Sequence, residues 1–319
     1  MIDRSPTPSS HSRARLGRAA VVALLAVAPF AWFLVRDAFG VVTDVLAIVL
    51  PVVVLVVAVL AGVVGIRRRR WLVLAASTLV MGVVATVLPW LPNPTGPVAD
   101  GRAVTVAAAN IGAGELDGAS ELIGLGADVL VVSEIGPPLT ARLAQAYPYE
   151  VHEWSGPAIG VFSKLPFDVL DTPGPDLPGM LLRVHGPSGA FVLNAMHVPR
   201  PWFDSDPSAY QATVAEHHRL IELAAARATD ERLPFVIAGD LNTTDRSRDY
   251  RILMGGGRRA DAMLGGWSGP TQIGQWSALF LRIDHLLVSR GWCSEGLQQY
   301  PIPASDHRGI MAAVGPCAG

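Results

Sequence analysis

Hydrophobic residues are distributed along this chain in two different patterns. The N-terminal part contains three long apolar runs, at residues 19–35, 41–66 and 71–91. A helix needs about 20 consecutive apolar residues to cross the hydrocarbon core of a bilayer. The runs therefore predict three transmembrane helices after a tail at residues 1–18. A cleaved signal peptide followed by a buried core is the alternative, and it leaves two long runs unexplained.

Arginines are placed asymmetrically around these runs and predict their orientation. Four arginines precede the first run and four separate the second from the third, namely Arg4, Arg13, Arg15, Arg18, Arg67, Arg68, Arg69 and Arg70. The other loop carries one arginine, Arg36, which Asp37 balances. Because loops rich in Lys and Arg stay in the cytoplasm, the N-terminus is expected there. Three crossings then place the rest of the chain outside, in a multi-pass protein of the cell membrane.

The C-terminal part alternates short apolar runs with helical patterns, and it follows a Pro- and Gly-rich linker at residues 92–101. Strands are predicted at residues 103–110, 128–134, 158–164, 180–185, 190–197, 234–240, 282–289 and 308–314. Helices are predicted at residues 115–126, 138–146, 207–229 and 245–254. Many strands with few helices indicate an α+β domain at residues 102–319.

Composition and charge restrict the possible functions. The chain is 50% hydrophobic and only 16% charged, which is too apolar for a purely soluble protein. From Asp100 onward, 16 Lys and Arg face 24 Asp and Glu, a formal net charge of −8. Nonspecific affinity for nucleic acid comes largely from Lys and Arg on phosphates, so an acidic domain is a poor general nucleic-acid binder.

Both cysteines, Cys293 and Cys317, lie in the part of the chain that is expected outside the membrane, where they flank a predicted terminal hairpin. An oxidising compartment favours a disulfide between them. Two free thiols are the alternative, and the sequence alone leaves both open.

Polar residues end or follow several of the predicted strands. These positions are Asn110, Glu134, His197, Asp240, Asn242, Asp284, Asp306 and His307. One such residue is usually a cap or a turn former, but here the same arrangement recurs throughout the domain. If the strands form two sheets packed face to face, the strand ends bring these side chains to one rim.

Such a set of side chains suits the hydrolysis of a phosphate ester. Hard oxygen ligands without cysteine favour Mg²⁺ or Mn²⁺ over zinc. Histidines can then donate protons to phosphoryl oxygens. A zinc site is the alternative, but His217 and His218 are adjacent on a predicted helix and are expected to point in different directions.

Six short motifs occur in the order AAAN, VVSE, MH, GDLN, RIDHLLVS and SDHRG. Together they resemble the endonuclease/exonuclease/phosphatase superfamily, which includes pancreatic-type deoxyribonucleases, apurinic endonucleases, neutral sphingomyelinases and inositol polyphosphate 5-phosphatases. The resemblance covers nearly all of residues 102–315. It implies a four-layer α/β/β/α sandwich with one divalent-metal active site at the rim. In that site Glu134 matches the principal metal ligand, with Asn110 beside it and Asp306 assisting.

The resemblance also implies roles for the remaining polar residues. Asp240 matches the group that orients or deprotonates the attacking water, and Asn242 matches the group that holds the water or the phosphate. His307, held by Asp284, matches the histidine that contacts the scissile phosphate. His197 matches its partner on the other side of the phosphate.

Basic and aromatic residues near the motifs are candidates for substrate contacts. Arg183 and Arg200 are two of them. Five arginines follow GDLN and form either a solvated helix face or a contact for an anionic headgroup, namely Arg246, Arg248, Arg251, Arg258 and Arg259. Trp202 and Phe203, in the loop at residues 197–207, either pack inward or meet a lipid or glycan substrate.

The anchor of three helices joined to this domain resembles actinobacterial membrane proteins associated with teicoplanin-type glycopeptide resistance. That resemblance implies a lipid-linked prenyl pyrophosphate as the substrate. A surface nuclease acting on extracellular DNA or RNA is the first alternative, and an inactive membrane scaffold is the second. No obligate protein partner is inferred.

Overall fold

The computed structural model describes residues 10–87, 97–99, 101–112, 118–201, 210–255, 259–261, 269–274 and 277–318. The chain forms two compact units, Met1–Thr86 and Val87–Gly319. Each unit has a hydrophobic core of its own.

The N-terminal unit consists of apolar helices. They are α1 (Ser10–Val27), α2 (Trp32–Val35), α3 (Val41–Arg67) and α4 (Arg70–Val87), with a 3-10 turn at Ala28–Ala31 between the first two. Three helical segments, Leu16–Val35, Val41–Arg67 and Arg70–Val87, are long and apolar enough to cross a membrane. The three predicted apolar helices are therefore confirmed as helices, and residues 88–91 of the third lie outside the described residues.

Close packing of α3 against α4 depends on a small residue. A Cβ atom added to Gly82 would lie 2.4 Å from Val54 Cγ1, so a larger side chain would force the two helices apart. Trp32 is buried in the same core with Val54 and Met81. This tryptophan therefore packs inside the unit.

The described residues of the C-terminal unit form twelve strands, four α-helices and a 3-10 turn at Ser277–Leu279. The strands are β1 (Val104–Asn110), β2 (Val129–Ser133), β3 (Tyr149–Glu153), β4 (Ile159–Ser163), β5 (Phe167–Asp171), β6 (Gly179–Gly186), β7 (Gly189–His197), β8 (Phe235–Asp240), β9 (Arg259–Asp261), β10 (Asp284–Ser289), β11 (Trp292–Pro301) and β12 (Arg308–Pro316). The helices are α5 (Ala119–Gly124), α6 (Pro137–Leu143), α7 (Tyr210–Asp230) and α8 (Arg248–Met254). One six-stranded sheet has the order β11-β12-β1-β2-β4-β3, and the other has the order β5-β6-β7-β8-β10-β9.

These elements form four layers in the order α/β/β/α. Inward-facing residues of both sheets, such as Val106 of β1 and Val236 of β8, share the central part of the core. Leu122 of α5 and Leu139 of α6 cover the outer face of the first sheet. Ile221 of α7 covers the outer face of the second. The predicted α+β class and the four-layer sandwich are confirmed.

All eight predicted strands are present, and the structure adds β3, β5, β9 and β11. Each added strand lies at the edge of a sheet. The predicted helix at residues 115–126 is shorter in the structure, where it spans Ala119–Gly124, and residues 115–117 lie outside the described residues.

The end of the chain is fastened to the segment that follows the anchor. Cys293 and Cys317 form a disulfide with a Cα–Cα distance of 4.9 Å. Val98 pairs with Cys317 in an isolated antiparallel bridge, and the N–H of Ala99 donates to the carbonyl of Pro316 at 2.8 Å. Part of the predicted linker is therefore held against the C-terminal strand, because its backbone groups find partners there.

Candidate active site

Strand register brings the first group of polar residues together. In the parallel pair β7–β8, His197 is the partner of Asp240. In the antiparallel pair β8–β10, Asp284 is the partner of the same Asp240. Three polar side chains from three neighbouring strands therefore stand in one row at the end of the second sheet.

Asp240 lies at the centre of the site and is almost fully buried. Its Oδ2 accepts from Asn110 Nδ2 at 2.9 Å, and its Oδ1 accepts from the backbone N–H of Asn242 at 2.9 Å. Asn242 adopts the left-handed backbone conformation, with a φ of 47°, and its amide donates to the carbonyl of Val198 at 2.9 Å. Burial raises the pKa of Asp240, and the charge of Asp284 raises it further. The carboxylate is thus fixed in place, with a pKa shifted toward the range of a general base.

Two histidines face this carboxylate from opposite sides. Nδ1 of His197 lies 2.6 Å from the carbonyl of Pro157 and must donate to it, because a carbonyl only accepts. Nδ1 of His307 lies 2.9 Å from Asp284 Oδ2. Both rings thereby present Nε2 to Asp240 Oδ2, each at 4.0 Å.

The environment of His307 favours its protonated form. Burial alone lowers the pKa of a histidine, but the charge and hydrogen bond of Asp284 outweigh this effect and raise the pKa of His307 to about 10. A protonated ring at this position is a hydrogen-bond donor to an anion in the cleft.

Glu134 extends into the site from the end of β2. Its backbone has a φ of 59°, a conformation that is uncommon for any residue other than glycine and is often found at functional sites. Its Oε1 accepts from Asn110 Nδ2 at 3.0 Å and lies 4.0 Å from Nε2 of His197. The single amide of Asn110 therefore holds the carboxylates of Glu134 and Asp240 on the same side of the cleft.

Asp306 also lines the cleft, and two residues that the sequence did not single out support this part of the site, Gln272 through Asp306 and Ser305 through Asn110 and His307. Gln272 Nε2 donates to Asp306 Oδ2 at 3.2 Å. Ser305 Oγ donates to the carbonyl of Asn110 at 2.7 Å and accepts from the N–H of His307 at 3.0 Å. Ser305 lies inside the motif SDHRG and could have been noticed there, whereas Gln272 follows no strand and carries no such signal.

A polar cleft of about 320 Å³ opens over this arrangement. Six of the eight predicted site residues line it, namely Glu134, His197, Asp240, Asn242, Asp306 and His307. Asn110 and Asp284 lie behind the lining and contact it through the hydrogen bonds given above. The structure thus brings all eight residues together, while their individual roles stay predictions. Of the two candidate arginines, both described, Arg200 lines the cleft and Arg183 lies outside its lining.

The donor atoms of the site fit a divalent cation. Asp240, Asp284 and His307 offer ligand atoms that lie within 4.8 Å of one another. One oxygen of Asp284 already accepts from His307, but among the described residues its Oδ1 is buried without a hydrogen-bond partner. Glu134 and Asp240 offer carboxylate oxygens on the cleft side. Hard oxygen ligands of this kind suit Mg²⁺, Mn²⁺ or Ca²⁺.

The arginines that follow GDLN lie in different environments: Arg248 of α8 is partly exposed and lies 3.8 Å from Glu222, whereas Arg246 is not part of an exposed surface. Arg246 is 3% exposed and donates to the carbonyls of Leu279 and Phe280 at 2.9 and 3.0 Å. It therefore fixes the loop beside the cleft, because a buried guanidinium needs acceptors. Arg251 donates to the carbonyl of Arg246. The side chains of Arg258 and Arg259, like Trp202 and Phe203, lie outside the described residues.

The expectation that His217 and His218 point in different directions is wrong. Nδ1 of His217 lies 2.9 Å from Asp249 Oδ2, and Nδ1 of His218 contacts Oδ1 of the same carboxylate. Nε2 of His217 also lies 3.1 Å from the carbonyl of Leu241. These contacts tie α7 and α8 to the segment after β8, so both histidines have structural partners that account for them.

Comparison with known proteins agrees with this geometry. The sequence model of the Endonuclease/Exonuclease/phosphatase family matches residues 107–307. The chain belongs to this family. Members of the endonuclease/exonuclease/phosphatase family are mostly metal-dependent hydrolases, and they include phosphatases, nucleases and phosphodiesterases. Comparison with curated proteins gives no match.

Solved structures of the endonuclease/exonuclease/phosphatase fold are similar to this chain. One is an endonuclease/exonuclease/phosphatase from Beutenbergia cavernae, with a TM-score of 0.52 and 20% identity over 68% of this chain and 72% of that chain. Another is a humanized D. rerio TDP2, with a TM-score of 0.52 and 15% identity over 67% of this chain and 99% of that chain. At these identities the likeness shows the fold.

Proposed function

We propose that this protein is a membrane-anchored, extracytoplasmic, divalent-metal-dependent phosphohydrolase whose substrate is a lipid-linked prenyl pyrophosphate. One observation carries the assignment of a phosphohydrolase. Nε2 of His197 and Nε2 of His307 both lie 4.0 Å from Asp240 Oδ2, at the floor of a cleft that Glu134 borders. This arrangement offers a base, hydrogen-bond donors and hard oxygen ligands around one cleft.

Each side chain has a role that follows from its contacts. Asp240 accepts the proton of the attacking water, and its raised pKa suits that role. Asn242 holds Asp240 through its backbone N–H. His307, oriented by Asp284, donates to the phosphoryl oxygens as negative charge develops on them. Glu134, with Asn110 beside it and Asp306 assisting, would hold Mg²⁺ or Mn²⁺, which when bound supplies positive charge to the phosphate.

Apolar residues beside the cleft support a substrate with a hydrocarbon part. Phe280 is 46% exposed and precedes the cleft residue Leu281, and Ile273 is 40% exposed and follows the cleft residue Gln272. The N–H of Ile273 donates to the carbonyl of Asp306 at 2.8 Å. An apolar border next to a polar cleft suits an amphiphilic phosphate better than a free nucleotide.

Charge and anchoring support the same choice. The part of the chain from Asp100 onward has a formal net charge of −8, whereas a nonspecific nuclease has to bind several backbone phosphates. The helices that can span a membrane would keep the catalytic unit near lipid substrates. The arginine asymmetry and the Cys293–Cys317 disulfide support a location outside the cytoplasm.

Phosphate release from a prenyl pyrophosphate in detergent tests the proposal. The full-length protein should release phosphate with Mg²⁺ or Mn²⁺. Phosphate release should stop in excess EDTA and resume when metal is added back. Arg200→Gln should raise KM because this arginine lines the cleft, and Arg183→Gln is the matched control that should leave KM unchanged. Release that continues in EDTA at the full rate would contradict metal dependence, and equal effects of the two variants would remove Arg200 from the substrate site.

A further inference from the structure

The polar end of the N-terminal unit carries a second cavity, far along the chain from the catalytic motifs. It measures about 380 Å³ and is lined by Arg18, Arg68, Arg69, Arg70 and Val22. Arg18 comes from α1, Arg68 and Arg69 come from the turn between α3 and α4, and Arg70 is the first residue of α4. Two separate segments therefore bring four positive charges to the border of one depression.

No acidic partner compensates these charges in the part of the chain that the structure describes. None of the four guanidinium groups forms an ion pair or a hydrogen bond with the described residues. The described acidic residues of this unit are Asp37 and Asp44, near the start of α3. At 1.5 Å per residue, Asp44 lies about 35 Å along the helix from its last residue, Arg67. Like charges held together without a counter-charge favour a bound anion.

The chemistry of the cavity identifies the kind of anion. The planar guanidinium group of arginine matches the oxygens of a phosphate. The four arginines lie where three apolar helices long enough to span a membrane begin or end, which is the level of lipid phosphates. Val22 lies one helical turn after Arg18 on the same face and is 37% exposed, so the cavity has an apolar wall on the membrane side.

We propose that this cavity is a binding site for the phosphate headgroup of an anionic phospholipid, with an acyl chain of that lipid against Val22. The site is independent of the catalytic cleft and of the reaction proposed for it. Basic loops in general prefer the cytoplasmic side of a membrane. That preference depends on the number of positive charges and is the same whether or not an arginine lines a cavity. Arg67 distinguishes lipid binding in the cavity from this general preference, because it ends α3 directly before the same turn but does not line the cavity.

Native mass spectrometry of the full-length protein, titrated with phosphatidylglycerol or phosphatidylcholine, measures this binding. The wild type should retain phosphatidylglycerol in preference to phosphatidylcholine. Arg18→Gln and Arg69→Gln should each weaken phosphatidylglycerol binding roughly five-fold, whereas Arg67→Gln should change it by less than about two-fold. Arg69→Lys, which keeps the charge but loses the planar fork, should fall between wild type and Arg69→Gln.

Three outcomes would overturn the site. Wild-type protein could bind both lipids equally, or Arg67→Gln could weaken binding as much as Arg18→Gln. Glycerol 3-phosphate, which has the phosphate but no acyl chain, could displace the lipid at equimolar concentration and so reassign the cavity to a soluble anion. Circular dichroism of each variant establishes that its helices are intact, and Arg69→Gln and Arg69→Lys decide the matter if Arg18→Gln does not fold.

Discussion

Replacing Asn110 by Asp tests whether one amide holds the two carboxylates of the site together. Asn110 Nδ2 donates to Glu134 Oε1 at 3.0 Å and to Asp240 Oδ2 at 2.9 Å. The substitution Asn110→Asp keeps the size of the side chain, removes both donors and adds a third negative charge. It therefore converts two hydrogen bonds into two repulsive contacts at nearly the same distances.

The cost of this change follows from the geometry. Two unit charges about 3 Å apart repel by roughly 5 kcal/mol at an effective dielectric constant of about 20. The carboxyl group at position 110 can take up a proton instead of bearing this repulsion. Raising the pKa of a carboxyl group from about 4 to 7 takes roughly 4 kcal/mol, so protonation limits the cost at neutral pH to about that value. We therefore expect the variant to lose roughly 4 kcal/mol of unfolding free energy without metal, which lowers the melting temperature of the C-terminal unit by about 8–16 °C.

Thermal unfolding in EDTA and in excess MgCl₂ or MnCl₂ measures the effect. A bound divalent cation offsets the added negative charge, so metal should restore most of the lost stability of Asn110→Asp and stabilise the wild type less. Asn110→Ala is the matched control, because it removes the donors without adding charge and should gain no more from metal than the wild type. A variant Asn110→Asp that melts at the wild-type temperature in EDTA would refute the role of Asn110 as a bridge between carboxylates.

The remaining predictions concern catalysis, the disulfide and topology. Asp240→Asn and His307→Ala should each lower kcat by a factor on the order of 10² or more. Because the two groups act together, the loss in the double variant should be smaller than the product of the two single losses, and a loss equal to that product would contradict this. Serine at both Cys293 and Cys317, which are separated by 24 positions, should lower unfolding stability by roughly 3 kcal/mol, and an unchanged denaturant midpoint would contradict this. A phosphatase reporter that works only outside the cytoplasm should be active when fused after residue 100 and silent at Arg69, and the reverse pattern would invert the topology.

Interior strands could be predicted from the sequence because burial on both faces produces a continuous apolar run. Every residue of β2, with the sequence VLVVS, is buried. The four strands absent from the predicted set are all edge strands, and the predicted terminal hairpin pointed to one of them, β11. In β5, four of five residues are exposed, so no apolar run or clean alternation marks it. Edge strands form because a neighbouring strand offers hydrogen-bond partners for their backbone. The residues of an edge strand do not themselves show which distant segment will pair with them.

The positions of the site residues could also be predicted, because each lies at or within two residues of the first or last residue of an apolar strand, and these termini meet in a layered fold. The groups that hold these side chains in place could not be predicted. The carbonyl of Pro157 that orients His197 is 40 positions away. Every residue has a backbone carbonyl, so the residue type does not show which carbonyl accepts this hydrogen bond. The burial of Arg246 was not evident either, since its acceptors are the backbone carbonyls of Leu279 and Phe280, more than thirty positions further on.

A direct competition between substrates tests the central claim. The purified full-length protein, with Mg²⁺ or Mn²⁺ in liposomes, is given a prenyl pyrophosphate and plasmid DNA together, with Asp240→Asn as the inactive control. We predict that phosphate is released from the lipid, that plasmid cleavage is much slower, and that the variant does neither. Efficient plasmid degradation without phosphate release from the lipid would contradict the proposed function and establish a nuclease in its place.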